Sequence, residues 1–414
     1  MQTRHKLVIA TFLLSLLLYI DRACISAAKG PITDELGLSN TQFGWVLSIF
    51  ALGYALAQTP SGALADRLGP RKILASVVVF WSFFTALTGA AYTFVSLLIY
   101  RFLFGVGEAG AFPGMARATF SWIPLKERGL VTGINFSASR LGGAAAMFAM
   151  PPLIAAMGWR TTFFVFGAVG IVWAVIWYAW FRDEPTDHPT ISEEEKNHIL
   201  RTRQQASESP APLTVGTLFG NRTMWLTMTQ YFCSNFTFFF ALTWLYPWVK
   251  ETYGLDPASA GVLAAIPLLG GAAGNWLSGF LIDKIYRSEK FVLSRRLPAI
   301  IGFSLATIGL LASLHMSTAT GAIIFLTIAV FGADMTLSPS WSFCVDVGGR
   351  HAGSVSGTMN MAGNIGAFIT SLAFPTLTGW FGSTDPFFYI AAGLNALAVI
   401  IWLTLDPRKS LLKQ

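Results

Sequence analysis

The feature that most constrains the fold is a series of twelve apolar stretches, each long enough to cross a bilayer as a helix. A helix rises 1.5 Å per residue, so about 20 mostly apolar residues span the hydrocarbon layer. Backbone N–H and C=O groups cannot bond to lipid, and a helix satisfies them within one segment. We therefore predict an all-α membrane protein with twelve transmembrane helices. The stretches are residues 7–28, 43–65, 72–91, 94–121, 129–152, 160–181, 222–249, 259–283, 297–316, 319–345, 352–378 and 386–405.

Composition excludes several other classes of protein. Of the 414 residues, 54% are hydrophobic and 12% are charged, whereas a soluble domain carries about 25% charged residues. Such a chain could not cover its own surface in water. A soluble enzyme, a disordered protein and a nucleic-acid-binding protein are therefore excluded. The first apolar stretch continues too far for a cleaved signal peptide, so we predict that it is retained as a span.

One long polar segment divides the spans into six and six. It predicts an N-terminal half at 1–181, a cytoplasmic linker at 182–221 and a C-terminal half at 222–414. Within the linker, residues 192–205 could form a short amphipathic surface helix or remain a solvated connection. The turn at residues 210–212 carries two prolines.

The distribution of lysine and arginine predicts the orientation. With the N-terminus inside, most of the 28 basic residues lie on the inner side, and the outer loops hold only Lys29, Arg160 and Lys250. Positive charge accumulates in cytoplasmic loops. We therefore predict a multi-pass protein of the inner (plasma) membrane with both termini in the cytoplasm.

The two halves are copies of each other in parallel orientation. Residues 62–67 recur in similar form at 279–284, and residues 129–133 recur at 353–357. Parallel six-helix repeats are a known transporter plan in which the substrate site lies between the halves. The sequence therefore predicts a central substrate cavity.

The loop after span 2 carries the most specific motif. Residues 62–72 read GALADRLGPRK, which fits the pattern G-x-L-x-D-R-x-G-x-R-K. With this loop the chain resembles the major facilitator superfamily, whose signature it is, and we predict the corresponding fold. An aspartate at a helix end can bond the N-terminus of a neighbouring helix and nearby arginines, and could so hold one state of a gate. The predicted gating residues are Gly62, Asp66, Arg67, Gly69 and Arg71.

Charges inside the spans indicate function. Each costs about 2.5–3.5 kcal/mol to insert and is a functional candidate by default. Asp21 and Arg22 lie in span 1, and adjacent helix residues point about 100° apart, so the two can serve different tasks. Arg22 can bind a carboxylate through two hydrogen bonds, and Asp21 can carry a proton. The alternative is a structural ion pair between helices.

Span 4 contributes a second acid. Arg101 and Glu108 are seven residues apart, nearly two helical turns, and share a face. Glu108 is therefore a second candidate proton carrier, and Arg101 a modulating residue. Asp334 is the matching acid in the second half and is a further modulating residue or a third proton site.

Four further polar or aromatic residues are candidates for substrate binding. Arg140 in span 5 lies beside serine and glycine. An arginine in a span needs a hydrogen-bond acceptor, which would be either a substrate carboxylate or backbone carbonyls. Trp341 lies in span 10. Asn360 and Asn364 lie four residues apart on one face of span 11. Hydrogen bonds between helices are the alternative role for the polar groups.

Within the superfamily, the chain resembles the anion:cation symporters, which include bacterial hexuronate, galactonate and glucarate transporters. The resemblance implies that Asp21 and Glu108 carry protons, that Arg22 holds the substrate carboxylate, and that Tyr19 and Tyr54 contact sugar hydroxyls. Galactonate-type members have glutamine at the position of Arg140, so the extra charge suggests either a second carboxylate, as in an aldarate, or a carboxylate at a different place. The residues that carry the resemblance are Tyr19, Asp21, Arg22, Arg101, Glu108, Pro113, Gly114, Trp341 and Asn360.

The sequence thus predicts a proton-coupled symporter of an organic anion, a hexuronate, aldonate or aldarate, working by alternating access. The alternative is an anion exchanger, or an uptake carrier for another carboxylate or a phosphorylated sugar. No cluster of catalytic side chains lies in the spans, which argues against an enzyme. We predict a monomer in the lipid bilayer that uses protons and an organic anion, without cofactor, metal or nucleic acid.

Overall fold

The computed structural model describes residues 2–204 and 214–409. The predicted turn at 210–212 and the last five residues lie outside this range. Side chains left out within the helices are those of Ser26, Asn40, Thr41, Ala144, Met147, Phe148, Pro151, Val215, Tyr246, Pro247, Pro257 and Ala258.

The described residues form seventeen α-helices and contain no strand. Their bounds are α1 (Thr3–Ala27), α2 (Lys29–Leu36), α3 (Asn40–Leu68), α4 (Pro70–Gly89), α5 (Phe94–Glu108), α6 (Ala111–Trp122), α7 (Arg128–Trp180), α8 (Glu193–Thr202), α9 (Val215–Gly220), α10 (Arg222–Thr243), α11 (Leu245–Tyr253), α12 (Pro257–Arg287), α13 (Phe291–Ser313), α14 (Ala319–Met335), α15 (Leu337–Gly348), α16 (Ala352–Phe381) and α17 (Asp385–Thr404).

Eight helical segments of the described chain are long and apolar enough to cross a membrane. One of them, Ala319–Phe381, contains two predicted spans. Three predicted spans fall outside the eight and correspond to α3, the first part of α7 and α10. These helices bury polar side chains such as Gln58, Asn135 and Gln230, which lower their hydropathy. The predicted spans outside the eight segments are 43–65, 129–152 and 222–249.

Two predicted spans are interrupted at equivalent positions. Span 4 is divided into α5 and α6, and the break directly follows Glu108. Span 10 is divided into α14 and α15, and the break follows Asp334 by two residues. The opposite occurs in α7, which joins two predicted spans through Gly158 at φ 78°. Glycine adopts this left-handed conformation without a steric penalty.

The described residues group into two compact units. Of the described residues, the first unit comprises 2–125, 138–204 and 348–361. The second unit comprises 126–137, 214–347 and 362–409. The division at the linker that the sequence indicates stays a prediction.

Linker helix α8 lies within the predicted range 192–205. Ser192 begins it, accepting a hydrogen bond from the Glu195 backbone N–H. The Glu195 carboxylate in turn accepts from the backbone N–H groups of Thr3 and Arg4, both at 2.8 Å. It therefore satisfies N–H groups that the first turn of a helix leaves without partners, and it fastens the start of α1.

Close packing of α3 and α5 positions the residues of the first unit. A Cβ atom on Gly105 would collide with the carbonyl oxygen of Phe50, and one on Gly53 would collide with that of Phe102. Small residues allow helix backbones to touch in this way. The side chains that flank these glycines are consequently held at fixed positions between the helices.

Candidate functional site

An arginine–glutamate pair lies inside the first unit. Arg22 of α1 donates through Nε to Oε2 of Glu108, at the end of α5, over 2.6 Å. The Glu108 side chain is fully buried, and that of Arg22 is 17% exposed. Arg22 Nη2 and Glu108 Oε1 have no hydrogen-bond partner among the described residues. Each side chain therefore retains capacity for a further ligand.

Three aromatic rings surround the Arg22 guanidinium. Its Cζ lies 4.5 Å from the ring centroid of Tyr54, 4.9 Å from that of Tyr19 and 5.1 Å from that of Phe50. The negative face of an aromatic ring attracts a cation. Asn360 donates to the Tyr54 hydroxyl at 3.3 Å. The structure thus brings four predicted substrate residues together: Tyr19, Arg22, Tyr54 and Asn360.

Asp21 has different surroundings from its neighbour Arg22. It is 1% exposed, and neither carboxyl oxygen has a hydrogen-bond partner among the described residues. The Trp81 indole is also fully buried and lies beside this carboxyl group, outside good hydrogen-bond geometry. A lone carboxylate charge is costly in such surroundings, whereas a neutral carboxylic acid is tolerated. The two adjacent residues are therefore suited to different tasks.

Arg101 lies close to the ion pair of Arg22 and Glu108. It is 3% exposed, and its Cζ lies 4.5 Å from the ring of Phe104 and 5.2 Å from that of Phe50. Among the described residues, no hydrogen bond joins it to Glu108. A modulating effect of Arg101 on Glu108 would therefore act through space.

The loop motif makes two separate sets of contacts. Asp66 accepts hydrogen bonds from the backbone N–H groups of Gly353 and Ser354, at 2.9 and 2.8 Å, and from the Ser354 hydroxyl. These groups lie at the N-terminus of α16, where a negative charge is favourable. A Cβ atom on Gly62 would collide with Gly353. The predicted contact with a helix N-terminus is present, and backbone and serine groups rather than an arginine bond to Asp66.

The rest of the motif contacts the end of α7 and the linker. The Arg71 backbone N–H donates to Asp183 at 2.7 Å, and its side chain donates to the Tyr178 carbonyl at 2.9 Å. Gly69 has a φ of 79°, and a Cβ atom there would collide with the Asp183 carboxylate. Arg67 is exposed. This part of the loop is therefore fixed independently of Asp66.

The second unit repeats the aspartate contact. Asp283 accepts hydrogen bonds from the backbone N–H groups of Gly129 and Leu130, at 3.0 and 2.9 Å. These residues begin α7 and are the sequence equivalents of Gly353 and Ser354. The chain departs from the loop motif at Ile285 and Tyr286, after Asp283. This departure does not prevent the same capping of a helix.

The remaining predicted residues are more dispersed. Trp341 of the second unit donates to the Tyr231 hydroxyl at 2.9 Å, and its ring lies 5.4 Å from that of Phe136. Asp334 is 1% exposed and packs against α12. Arg140, on α7 in the first unit, and Asn364, on α16 in the second, are half-buried. The predicted substrate-binding roles of Trp341, Arg140 and Asn364 and the predicted modulating role of Asp334 stay predictions.

A family model described as Major Facilitator Superfamily matches residues 11–371. The chain belongs to this superfamily. It is 34% identical over 410 residues to the probable sulfoacetate transporter of Cupriavidus necator, covering 98% of this chain and 94% of that protein. It is 32% identical over 415 residues to the probable L-galactonate transporter of Escherichia coli, covering 96% and 89%.

Solved structures agree on the fold. The proton:xylose symporter XylE bound to 6-bromo-6-deoxy-D-glucose matches with a TM-score of 0.74 at 17% identity, covering 99% of this chain and 97% of that one. The predicted family and twelve-helix major facilitator fold are confirmed. The protein is a multi-pass membrane transporter and not an enzyme, as predicted.

Sequence reasoning missed a second buried charge cluster in this major facilitator protein. Asp346, at the end of α15, accepts from Nη1 of Arg128 and, at 2.7 Å, from Nε of Arg295. The three side chains are 1%, 0% and 0% exposed. Arg128 and Arg295 precede predicted spans by one and two residues, and Asp346 lies one residue beyond the predicted span 319–345. A usable signal was the occurrence of two arginines and one aspartate at the same predicted membrane depth.

Proposed function

We propose that this protein is a proton-coupled symporter that carries a small organic anion across the inner membrane by alternating access. The observation that carries the proposal is the Arg22 guanidinium, which is held by one bond to Glu108 and by three aromatic rings. Its buried Nη2 has no hydrogen-bond partner among the described residues. A guanidinium in this setting is suited to bind a carboxylate through parallel hydrogen bonds.

The proposed substrate is a sugar acid or a similar small carboxylate. Sulfoacetate and L-galactonate, the substrates named for the two relatives, both carry a carboxylate. The hydroxyls of Tyr19 and Tyr54 and the amide of Asn360 supply hydrogen-bonding groups around Arg22. Arg140 would meet a second anionic group, such as the other carboxylate of an aldarate or a sulfonate.

Coupling follows from competition for one guanidinium. Glu108 and a substrate carboxylate both bond to Arg22, and a protonated Glu108 loses most of its attraction for the cation. A proton on Glu108 therefore favours anion binding, and anion binding favours the proton. Asp21, whose buried oxygens have no partner among the described residues, would take a second proton.

The membrane potential contributes when more protons than substrate charges move. A monoanion that moves with one proton is neutral overall, whereas two protons carry one net positive charge inward. That charge is worth about 2.3 kcal/mol per 100 mV. We propose modulating roles for Arg101 and Asp334, and substrate contacts for Trp341 and Asn364.

The motif loop is proposed to stabilise one state of the transport cycle. The contacts of Gly62 and Asp66 with α16, and those of Gly69 and Arg71 with Asp183, support this role. Arg67 is proposed as part of the same inner loop. Both termini are proposed to be cytoplasmic and the transporter monomeric.

The test is uptake of radiolabelled galactonate, glucarate and sulfoacetate by proteoliposomes, with and without an inward proton gradient. We expect the gradient to stimulate uptake of one of these anions and Arg22→Gln to abolish it. The matched control is Arg160→Gln, because Arg160 pairs with the half-exposed Glu35 outside the site. This control should retain uptake.

Glu108→Gln separates symport from exchange. A neutral amide cannot exchange a proton, so accumulation driven by the gradient should be lost while counterflow between equal substrate concentrations persists. Wild-type counterflow that does not change with the gradient, together with equal counterflow in Glu108→Gln, would identify an exchanger instead. Uptake of none of the three anions would refute the substrate class.

A further inference from the structure

One aromatic ring contacts both arginines of the first unit. Phe50 lies on α3 and is half-buried. Its ring centroid lies 5.1 Å from Cζ of Arg22 and 5.2 Å from Cζ of Arg101. The same ring packs on Tyr54 and Phe104, with centroid distances of 5.7 and 5.4 Å. Phe50 therefore connects the substrate arginine to the modulating arginine.

The position of this ring is fixed by the backbone. A Cβ atom on Gly105 of α5 would collide with the carbonyl oxygen of Phe50, and one on Gly53 of α3 would collide with that of Phe102. The backbones of the two helices are therefore in close contact at these glycines. The ring is therefore held in place by the packing of α3 on α5, and it can impose its position on the flexible arginine side chains.

Phe50 can affect an anion only through its neighbours. Two guanidinium groups repel each other, and the negative face of a ring attracts each of them. Tyr19 and Tyr54 also face Arg22, but both carry hydroxyl groups that can bond a substrate. A phenyl ring has no polar atom, so Phe50 offers a substrate no hydrogen bond and acts through the groups that it packs on: the two guanidinium groups and Tyr54.

We propose that Phe50 is a positioning residue for anion binding, holding the Arg22 guanidinium so that it keeps one bond to Glu108 and presents Nη2 to the substrate. Without the Phe50 ring, Arg22 keeps Tyr54 and Tyr19 as ring partners and Arg101 keeps Phe104, so each guanidinium loses one of the groups that fix its position. This inference rests on the proposed function, in which Arg22 binds the anion.

The first experiment compares substitutions that differ in ring character. Phe50→Leu keeps an apolar side chain but removes the aromatic face, and Phe50→Tyr keeps that face. We expect Phe50→Leu to raise the apparent KM for the transported anion about tenfold with little change in kcat. Phe50→Tyr should remain within about twofold of wild type. The control is Phe84→Leu, because Phe84 is also half-buried among rings.

A second measurement does not depend on the substrate. Phe50→Leu is combined with Arg22→Gln in a double-mutant cycle. The melting temperature (Tm) is measured for the purified, ligand-free wild type, each single variant and the double variant. We expect Phe50→Leu to lower the Tm less when Arg22 is already absent, because the two side chains interact.

The outcomes separate this proposal from the proposed function. Equal Tm losses in both backgrounds would overturn the positioning role, and so would an unchanged KM in Phe50→Leu or an equal rise in Phe84→Leu. If the wild type transports none of the anions, the proposed function fails. The Tm cycle alone then decides whether Phe50 holds Arg22.

Discussion

Removal of the Asp346 carboxylate tests the energetics of the buried cluster in the second unit. Asp346 is the acceptor for both Arg128 and Arg295, and all three side chains are almost inaccessible to solvent. Asp346→Asn keeps the size of the side chain and removes its charge. Two guanidinium groups then remain buried without a counter-charge.

The expected loss of stability is large. Removal of one partner from a buried ion pair costs about 3–5 kcal/mol, because the remaining charge cannot regain its hydration. Here two cations lose one shared partner, so we expect the free energy of unfolding to fall by at least about 3 kcal/mol. At about 2 °C per kcal/mol for a unit of roughly 200 residues, the Tm should fall by at least about 6 °C.

The assay is thermal unfolding of the detergent-solubilised protein, with Glu35→Gln as the matched control. Glu35 pairs with Arg160, but its side chain is 48% exposed, and exposed pairs contribute about 0–1 kcal/mol. The double variant Asp346→Asn with Arg295→Gln should recover part of the loss, because one uncompensated cation is removed. A Tm for Asp346→Asn no lower than that of the control would refute the argument.

Three further outcomes are expected. Gly105→Val should lower both Tm and uptake, because the valine side chain would collide with the backbone of α3. Unchanged values would show that α3 and α5 are not in contact there. Glu195→Gln should cost about 1.5–3 kcal/mol of the free energy of unfolding, because a carboxylate caps α1; no loss would exclude that cap. Hydrogen bonds from Trp159 and Arg160 lower the pKa of Glu35. Its stabilising contribution is therefore complete above the ordinary glutamate pKa of about 4.3 and is lost as pH falls through the lowered value. Glu35→Gln should flatten the dependence of Tm on pH in that range, and an unaltered profile would contradict the assignment.

Most of the secondary structure followed from local composition. Long apolar runs must become helices in lipid, because a helix satisfies its own backbone groups. The breaks after Glu108 and beyond Asp334 did not follow, since both lie within continuous apolar runs. The joining of two spans through Gly158 was also missed, because a glycine in an apolar run gives no sign of its φ angle.

The candidate site could be predicted only in part. Asp21, Arg22 and Glu108 were visible because a charge inside an apolar run is costly, and that cost is a property of the sequence. Phe50 gave no such signal, since phenylalanine is common in membrane spans. Asp346 was missed because it lies just beyond a predicted span.

The sequence by itself determined the number of spans, the superfamily motif and the identities of the intramembrane charges. These are local properties, set by composition and spacing along one helix. Only the tertiary structure decided the partners of those charges. Arg22 bonds to a residue 86 positions away, and Arg128 to one 218 positions away. Pairing over such separations depends on how helices pack, which the pattern of any single helix does not contain.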